Sequence, residues 1–181
     1  MWSFIEFFKP RYLPYCLLDG FFQGGRLIVG ATSVTYLLSQ NLSFAQIAQL
    51  KSIQAIVFLF LDVPAGIFAD SHGRKKSLLV SVITAIFSFF LYFNGAGAFS
   101  IFVVAEIFAA VSICFWSGAY EAYTLEKVKL EGHPKLIDQF FHFNQFFSNL
   151  FVMLLGYLGG FIGLYGLGYP YLSAIIIFLI I

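Results

Sequence analysis

Gly66-Ile67-Phe68-Ala69-Asp70-Ser71-His72-Gly73-Arg74-Lys75-Lys76-Ser77-Leu78 decides how this chain folds. These thirteen residues hold one acid, three consecutive bases and two glycines between two apolar runs. The run before, Phe44 to Ala69, is long enough to cross a bilayer, and so is the run after, Ser77 to Phe93. So short a charged hinge leaves no room for a folded loop. Two membrane helices must turn back on each other here, with a positive cluster on one side of the membrane.

Composition agrees. The chain has 181 residues, 60% apolar and 10% charged, with mean hydropathy +0.89. A water-soluble globule of this size could not hide so much apolar surface. A net charge of +1 gives no reason to expect a nucleic-acid partner. Cys16 and Cys114 both fall inside apolar runs and read as small packing residues, not as a disulfide or metal site. No cofactor is expected.

Outward from the hinge, the sequence predicts residues 1–11 at the membrane surface and an all-α bundle over 12–181. Spans are expected at about 12–39, 44–69, 77–93, 99–124 and 136–163, with an incomplete sixth at 171–181. Asn41 and Ser43 are N-cap candidates for the second span. The eleven residues from Tyr171 to Ile181 would cover about half the hydrocarbon core at about 1.5 Å each. The expectation is therefore a fragment, a truncated product, or one part of something completed by another chain.

Lys9 and Arg11, then Arg74, Lys75 and Lys76, then Lys127, Lys129 and Lys135 all fall on one side; the turns at 40–43, 94–98 and 164–170 carry no base. The positive-inside rule puts the N-terminus in the cytoplasm; the expected location is a bacterial inner membrane.

Polar residues inside the spans fall in stripes. On the first, Tyr12, Tyr15, Asp19, Gln23, Arg26 and Ser33 share one face, with Asp19 and Arg26 two turns apart and opposite in charge. Such a pair is expected to face a protein interior or a watery cavity. The second span carries Lys51 and Asp62; Lys51, near the outer end, reads as a snorkelling side chain, and Asp62 as the deeper acid, near enough to pair with Arg74. On the third, Ser77, Ser81, Thr84 and Ser88 read as a helix-packing seam. Glu106 is the deep acid of the fourth, on a face with Ser117, Tyr120, Glu121 and Thr124. The fifth aligns Asp138, His142, Gln145 and Asn149 with a glycine face at Gly156, Gly160 and Gly163. No HExxH, GxSxG or Walker sequence occurs, so the chain is not expected to be an enzyme.

The hinge resembles the loop signature of the major facilitator superfamily. Gly66, Asp70, Gly73, Arg74, Lys75 and Leu78 occupy its positions; Phe68 and Ser71 depart from it. The resemblance implies the N-terminal six-span half of a secondary transporter, moving a small solute by alternating access between two halves. It also implies that Gly66 and Asp70 belong to a latch against a C-terminal six-span partner. Cavity or coupling residues would then be Asp19, Gln23, Arg26, Asp62, Glu106, Gln145 and Asn149, and the gating loop Gly66, Asp70, Gly73, Arg74 and Lys75. The glycine-rich region lacks the proline of the superfamily's antiporters, and the fourth span lacks its membrane arginine, so neither direction nor proton coupling follows. The rival expectation is a non-transporting membrane remnant or scaffold subunit.

Overall fold

A computed structural model describes residues 13–130 and 137–181. The expected interfacial start, with Lys9, Arg11 and Tyr12, lies outside the described residues. So do Glu131, His133, Pro134 and Lys135, and the side chains of Lys129 and Asp138.

Among the described residues seven helices follow one another: α1 Leu13–Leu27, α2 Ser33–Ser39, α3 Phe44–His72, α4 Arg74–Phe93, α5 Phe99–Leu130, α6 Ile137–Gly163 and α7 Tyr169–Ile180. Four stretches among the described residues are long and apolar enough to cross a membrane: Phe44–His72, Arg74–Phe93, Phe99–Lys127 and Phe140–Gly163. Their outward faces are apolar, as lipid requires: Leu59, Phe60, Val63 and Ile67 on α3 and Met153, Tyr157 and Phe161 on α6 are exposed. The chain is an all-helical, polytopic membrane protein. The described residues do not form six long spans, because the stretch at 12–39 is broken in two and α7 is short.

The hinge is tighter than its sequence suggests. Helix α3 runs through His72, α4 starts at Arg74, and Gly73 alone links them at φ +96°, where only glycine is unstrained. At the opposite end Ser43 caps α3: its hydroxyl accepts from Gln46 N at 3.3 Å, while Gln46 Oε1 accepts from Ser43 N at 2.8 Å. Helix α5 runs past the expected end of its span at 124, as far as Leu130.

Two sets of helices pack together. Helices α3, α4 and α5 form one, α1, α6 and α7 the other, and α4 meets α7 between them. The α4–α5 contact is the expected hydroxyl seam. Ser77, Ser81 and Ser88 donate to the carbonyls of Phe115, Ser112 and Ala105 at 2.8, 2.7 and 2.8 Å, which holds the two backbones close. Thr84 instead bonds back to Val80 of its own helix.

The first span differs most from expectation. Its helix stops at Leu27 and resumes at Ser33, with tight turns from Gly30 N to Leu27 O (2.9 Å) and Thr32 N to Val29 O (3.1 Å). Thr32 and Ser33 hydroxyls take carbonyls of the break, at Val29 and Gly30. The glycine face of α6 receives it: a Cβ at Gly159 would lie 1.7 Å from the Ile28 carbonyl oxygen. Backbone therefore lies directly on backbone.

Gly159→Ala should destabilise the bundle by about 3 kcal/mol or more, since neither backbone can yield to the added methyl. Gly66→Ala, with nothing within 4 Å of its Cβ, should be neutral or stabilise α3 by up to about 1 kcal/mol. Thermal unfolding of the two variants in the same detergent checks this; equal losses would contradict the packing.

Candidate functional site

Asp19 is 6% exposed on α1, and a carboxylate there needs donors. Three side chains from three helices supply them. Trp116 Nε1 of α5 donates to Oδ1 at 3.1 Å, Asn144 Nδ2 of α6 to Oδ2 at 2.9 Å, and Gln23 Nε2 of α1 to Oδ1 at 3.4 Å. The orientation of Asn144 follows: its amide nitrogen faces the acceptor-only carboxylate, so its Oδ1 accepts from Tyr120 OH at 2.8 Å. That hydroxyl has one proton, shared with the Tyr15 carbonyl at 2.9 Å. Trp116 is held in place by stacking, with Phe22 on one side (ring centroids 3.6 Å apart) and Tyr120 nearby (5.4 Å).

This network forms one wall of an open cavity of about 450 Å³ between α1, α5 and α6. Gln145 and Asn149 stand on another wall, exposed, with Gln145 Nε2 donating to Asn149 Oδ1 at 3.0 Å. Of the residues expected to line a solute path, Asp19, Gln23, Gln145 and Asn149 meet here. Arg26 does not pair directly with Asp19. Its Nη1 donates to Gln23 Oε1 at 2.9 Å, so Gln23 bridges the two charges.

A second polar centre lies towards the uncharged end. Glu106 is 0% exposed on α5, and its Oε1 accepts from Lys51 Nζ of α3 at 2.5 Å and from the Tyr92 hydroxyl of α4. The reading of Lys51 as a snorkelling side chain is corrected: although its side chain is 55% exposed, its ammonium turns inward to neutralise a buried acid. Arg26, Lys51 and Glu106 border a smaller cavity of about 190 Å³. Leu27, at the break in the first span, borders both cavities.

At the basic end Arg74 donates to the Ala122 carbonyl at 2.5 Å and pairs with Glu126 at 2.6 Å, tying α4 to α5. Arg74 is therefore not the partner of Asp62. Asp62, Asp70 and Lys75 are exposed and have no hydrogen bond or ion pair among the described residues, and Gly66 faces open space, its Cα 4.0 Å from where a Gly118 Cβ would lie. Sequence reading missed Trp116 and Asn144. Asn144, a polar residue beside Gln145 in an apolar run, was a usable signal; an indole inside a span reads as apolar until its N–H finds an acceptor. Among the described residues no group of His, Cys, Asp and Glu could hold a metal ion.

The apolar helices and the desolvated polar interior define an integral membrane protein with solvent-reachable polar walls. A protein of Bacillus subtilis (strain 168), described as the uncharacterized MFS-type transporter YxaM, is 33% identical over 92 residues, 50% of this chain and 22% of that protein. The matched part is less than a quarter of the relative's length. That likeness supports a transport role in general terms and carries no substrate. No family model and no solved structure matches the chain.

Trp116→Phe keeps the stack on Phe22 but removes a donor to a buried carboxylate, and should destabilise by about 1.5–3 kcal/mol. Lys51→Met should cost towards the lower end of the roughly 3–5 kcal/mol for a broken buried pair, given the half-exposed lysine. The double variant Lys51→Met/Glu106→Gln should recover most of that loss, as read by unfolding in detergent. Additive losses in the double variant would show that the pair does not act as one.

Proposed function

We propose that this chain is the N-terminal bundle of a major-facilitator-type secondary transporter, moving a small polar or amphipathic solute by alternating access. The observation that carries the reading is the 450 Å³ cavity, whose walls present Asp19, Gln23, Gln145 and Asn149 in helices otherwise clothed for lipid. A charge at mid-bilayer costs about 2.5–3.5 kcal/mol on insertion scales, so a polar wall reachable from outside the bundle needs water or a second bundle over it. In this reading a C-terminal six-span half closes the cavity, and the solute lies between the halves.

The hinge fits the same reading. Gly66, with open space before it, gives a partner helix close access, and Asp70 stands unpaired beside it for a charge on that partner. Gly73 makes the turn, Arg74 holds it to α5, and Lys75 stays exposed beside them. The basic end faces the cytoplasm, which places the turns at 40–43, 94–98 and 164–168 outside. The membrane is then a bacterial inner membrane.

Two measurements test this. In a background with Cys16 and Cys114 replaced by serine, cysteines at Asn41 and Gly95 should label from outside intact cells, and one at His72 only after permeabilisation. Labelling of His72→Cys in intact cells would reverse the orientation. In vesicles from cells co-expressing the chain with a six-span C-terminal half, flux of a panel of labelled metabolites and dyes should include one that Asp19→Asn lowers at least tenfold at equal protein level. Flux unaffected by Asp19→Asn would overturn the assigned wall. Correct topology with no flux of any solute would favour a scaffold subunit.

A further inference from the structure

The smaller cavity is a second site with its own chemistry. It opens between the broken first span, α3, α4, α5 and α7, and Asp19, Gln145 and Asn149 take no part in it. Lys51 is matched to Glu106, whereas Arg26 has only neutral Gln23 as a hydrogen-bond partner among the described residues, its counter-charge Asp19 lying beyond Gln23 in the other cavity, so no anion is bonded to the guanidinium here. At the same time Glu106 Oε2 is buried and has no hydrogen-bond donor, while Oε1 takes both Lys51 and Tyr92. A buried acceptor without a donor costs about 1–3 kcal/mol, more when charged, so the site lacks a partner as built.

We propose that this cavity binds a small carboxylate that carries a hydroxyl or ammonium donor close to its acid group, a 2-hydroxy or 2-amino acid. The carboxylate meets the Arg26 guanidinium, whose planar fork suits it. The hydroxyl or ammonium donates to Glu106 Oε2, the oxygen that Lys51 and Tyr92 leave free. Ser33 and Ser112 add hydroxyl character to the wall. Volume sets the size. At about 30 Å³ per water, 190 Å³ holds about six waters, enough for a molecule of about six heavy atoms such as lactate or alanine. This is below the roughly 300 Å³ of pockets that take drug-sized ligands, so a molecule of a few heavy atoms fits it best.

The test uses the purified chain in phospholipid nanodiscs and equilibrium binding of radiolabelled L-lactate and L-alanine, with no transport required. Both should bind saturably. Propionate has the carboxylate without the donor and leaves Oε2 unpaired; it should compete at least tenfold more weakly. Ethanolamine has donors without the carboxylate and should compete more weakly still. Arg26→Gln should abolish lactate binding, and Glu106→Gln should narrow the gap between lactate and propionate to less than threefold. Because the four ligands are compared on the unaltered protein, misfolding of either variant leaves the discrimination intact as the deciding result. No saturable binding of lactate or alanine, propionate binding as tightly as lactate, or ethanolamine binding as tightly as either would each overturn the proposal.

Discussion

A carboxylate shut inside an apolar bundle must be given donors, and the rest of this structure follows from that requirement. Asp19 draws one donor each from α1, α5 and α6, so a single side chain specifies how three helices are rotated about their axes. Glu106 does the same for α3, α4 and α5 through Lys51 and Tyr92. Apolar side chains could not fix these rotations so sharply, because lipid tails solvate a leucine as well as another helix does. The acids thus contribute specificity of packing while also being the groups that a solute could meet.

Small residues make the required distances reachable. Charge-assisted hydrogen bonds of about 3 Å between side chains as short as aspartate and asparagine demand close backbones. Between α1 and α6 that closeness comes from glycine on both sides: Cβ atoms at Gly20 and Gly24 would fall 2.9 and 2.6 Å from Phe151 and Leu155 side chains, and one at Gly159 would strike the Ile28 carbonyl. Between α4 and α5 it comes from serines whose hydroxyls are absorbed by facing carbonyls. The two seams use different chemistry for one end, since a serine seam adds hydrogen bonds where no donor is otherwise needed, and a glycine seam leaves room for the irregular backbone at 28–32.

Much of this was legible in the sequence, and what was not has physical reasons. The hinge, the serine seam, the Ser43 cap and the polar face of the first span follow from spacing alone, because each is local or repeats with the helical period. The break at 28–32 was not legible. Gly30 and Thr32 are both tolerated within membrane helices, and the helix stops there because α6 offers glycines to receive its carbonyls, a fact 131 residues away in sequence (Gly159 against Ile28). Lys51 was misjudged for the same kind of reason: one helix shows only that a lysine is near an end, and its inward turn depends on an acid on another helix. Asp62 was read as the telling acid of the second span, yet it stands on an exposed face, where a wheel drawn from one helix cannot distinguish a bundle interior from its outside.

The broken first span also relates the two polar centres to one another. Gln23 belongs to the larger cavity and Arg26 to the smaller, and the 2.9 Å bond between them runs along α1 just before the break. Beyond the break the chain is held differently: α2 is anchored by Tyr36, whose hydroxyl donates to the Tyr92 carbonyl at 2.7 Å on the same α4 residue that feeds Glu106. The half of the span before the break is therefore fastened to α6 by Asp19, and the half after it to α4 by Tyr36. A continuous helix would transmit any tilt rigidly from one centre to the other. Five non-helical residues, 28–32, interrupt that path, and the Gln23–Arg26 bond lies wholly on the half before them. Asp19 and Arg26 remain coupled through α1 itself as well as through Gln23, while the Glu106 cavity takes Ser33 and Leu37 from beyond the break.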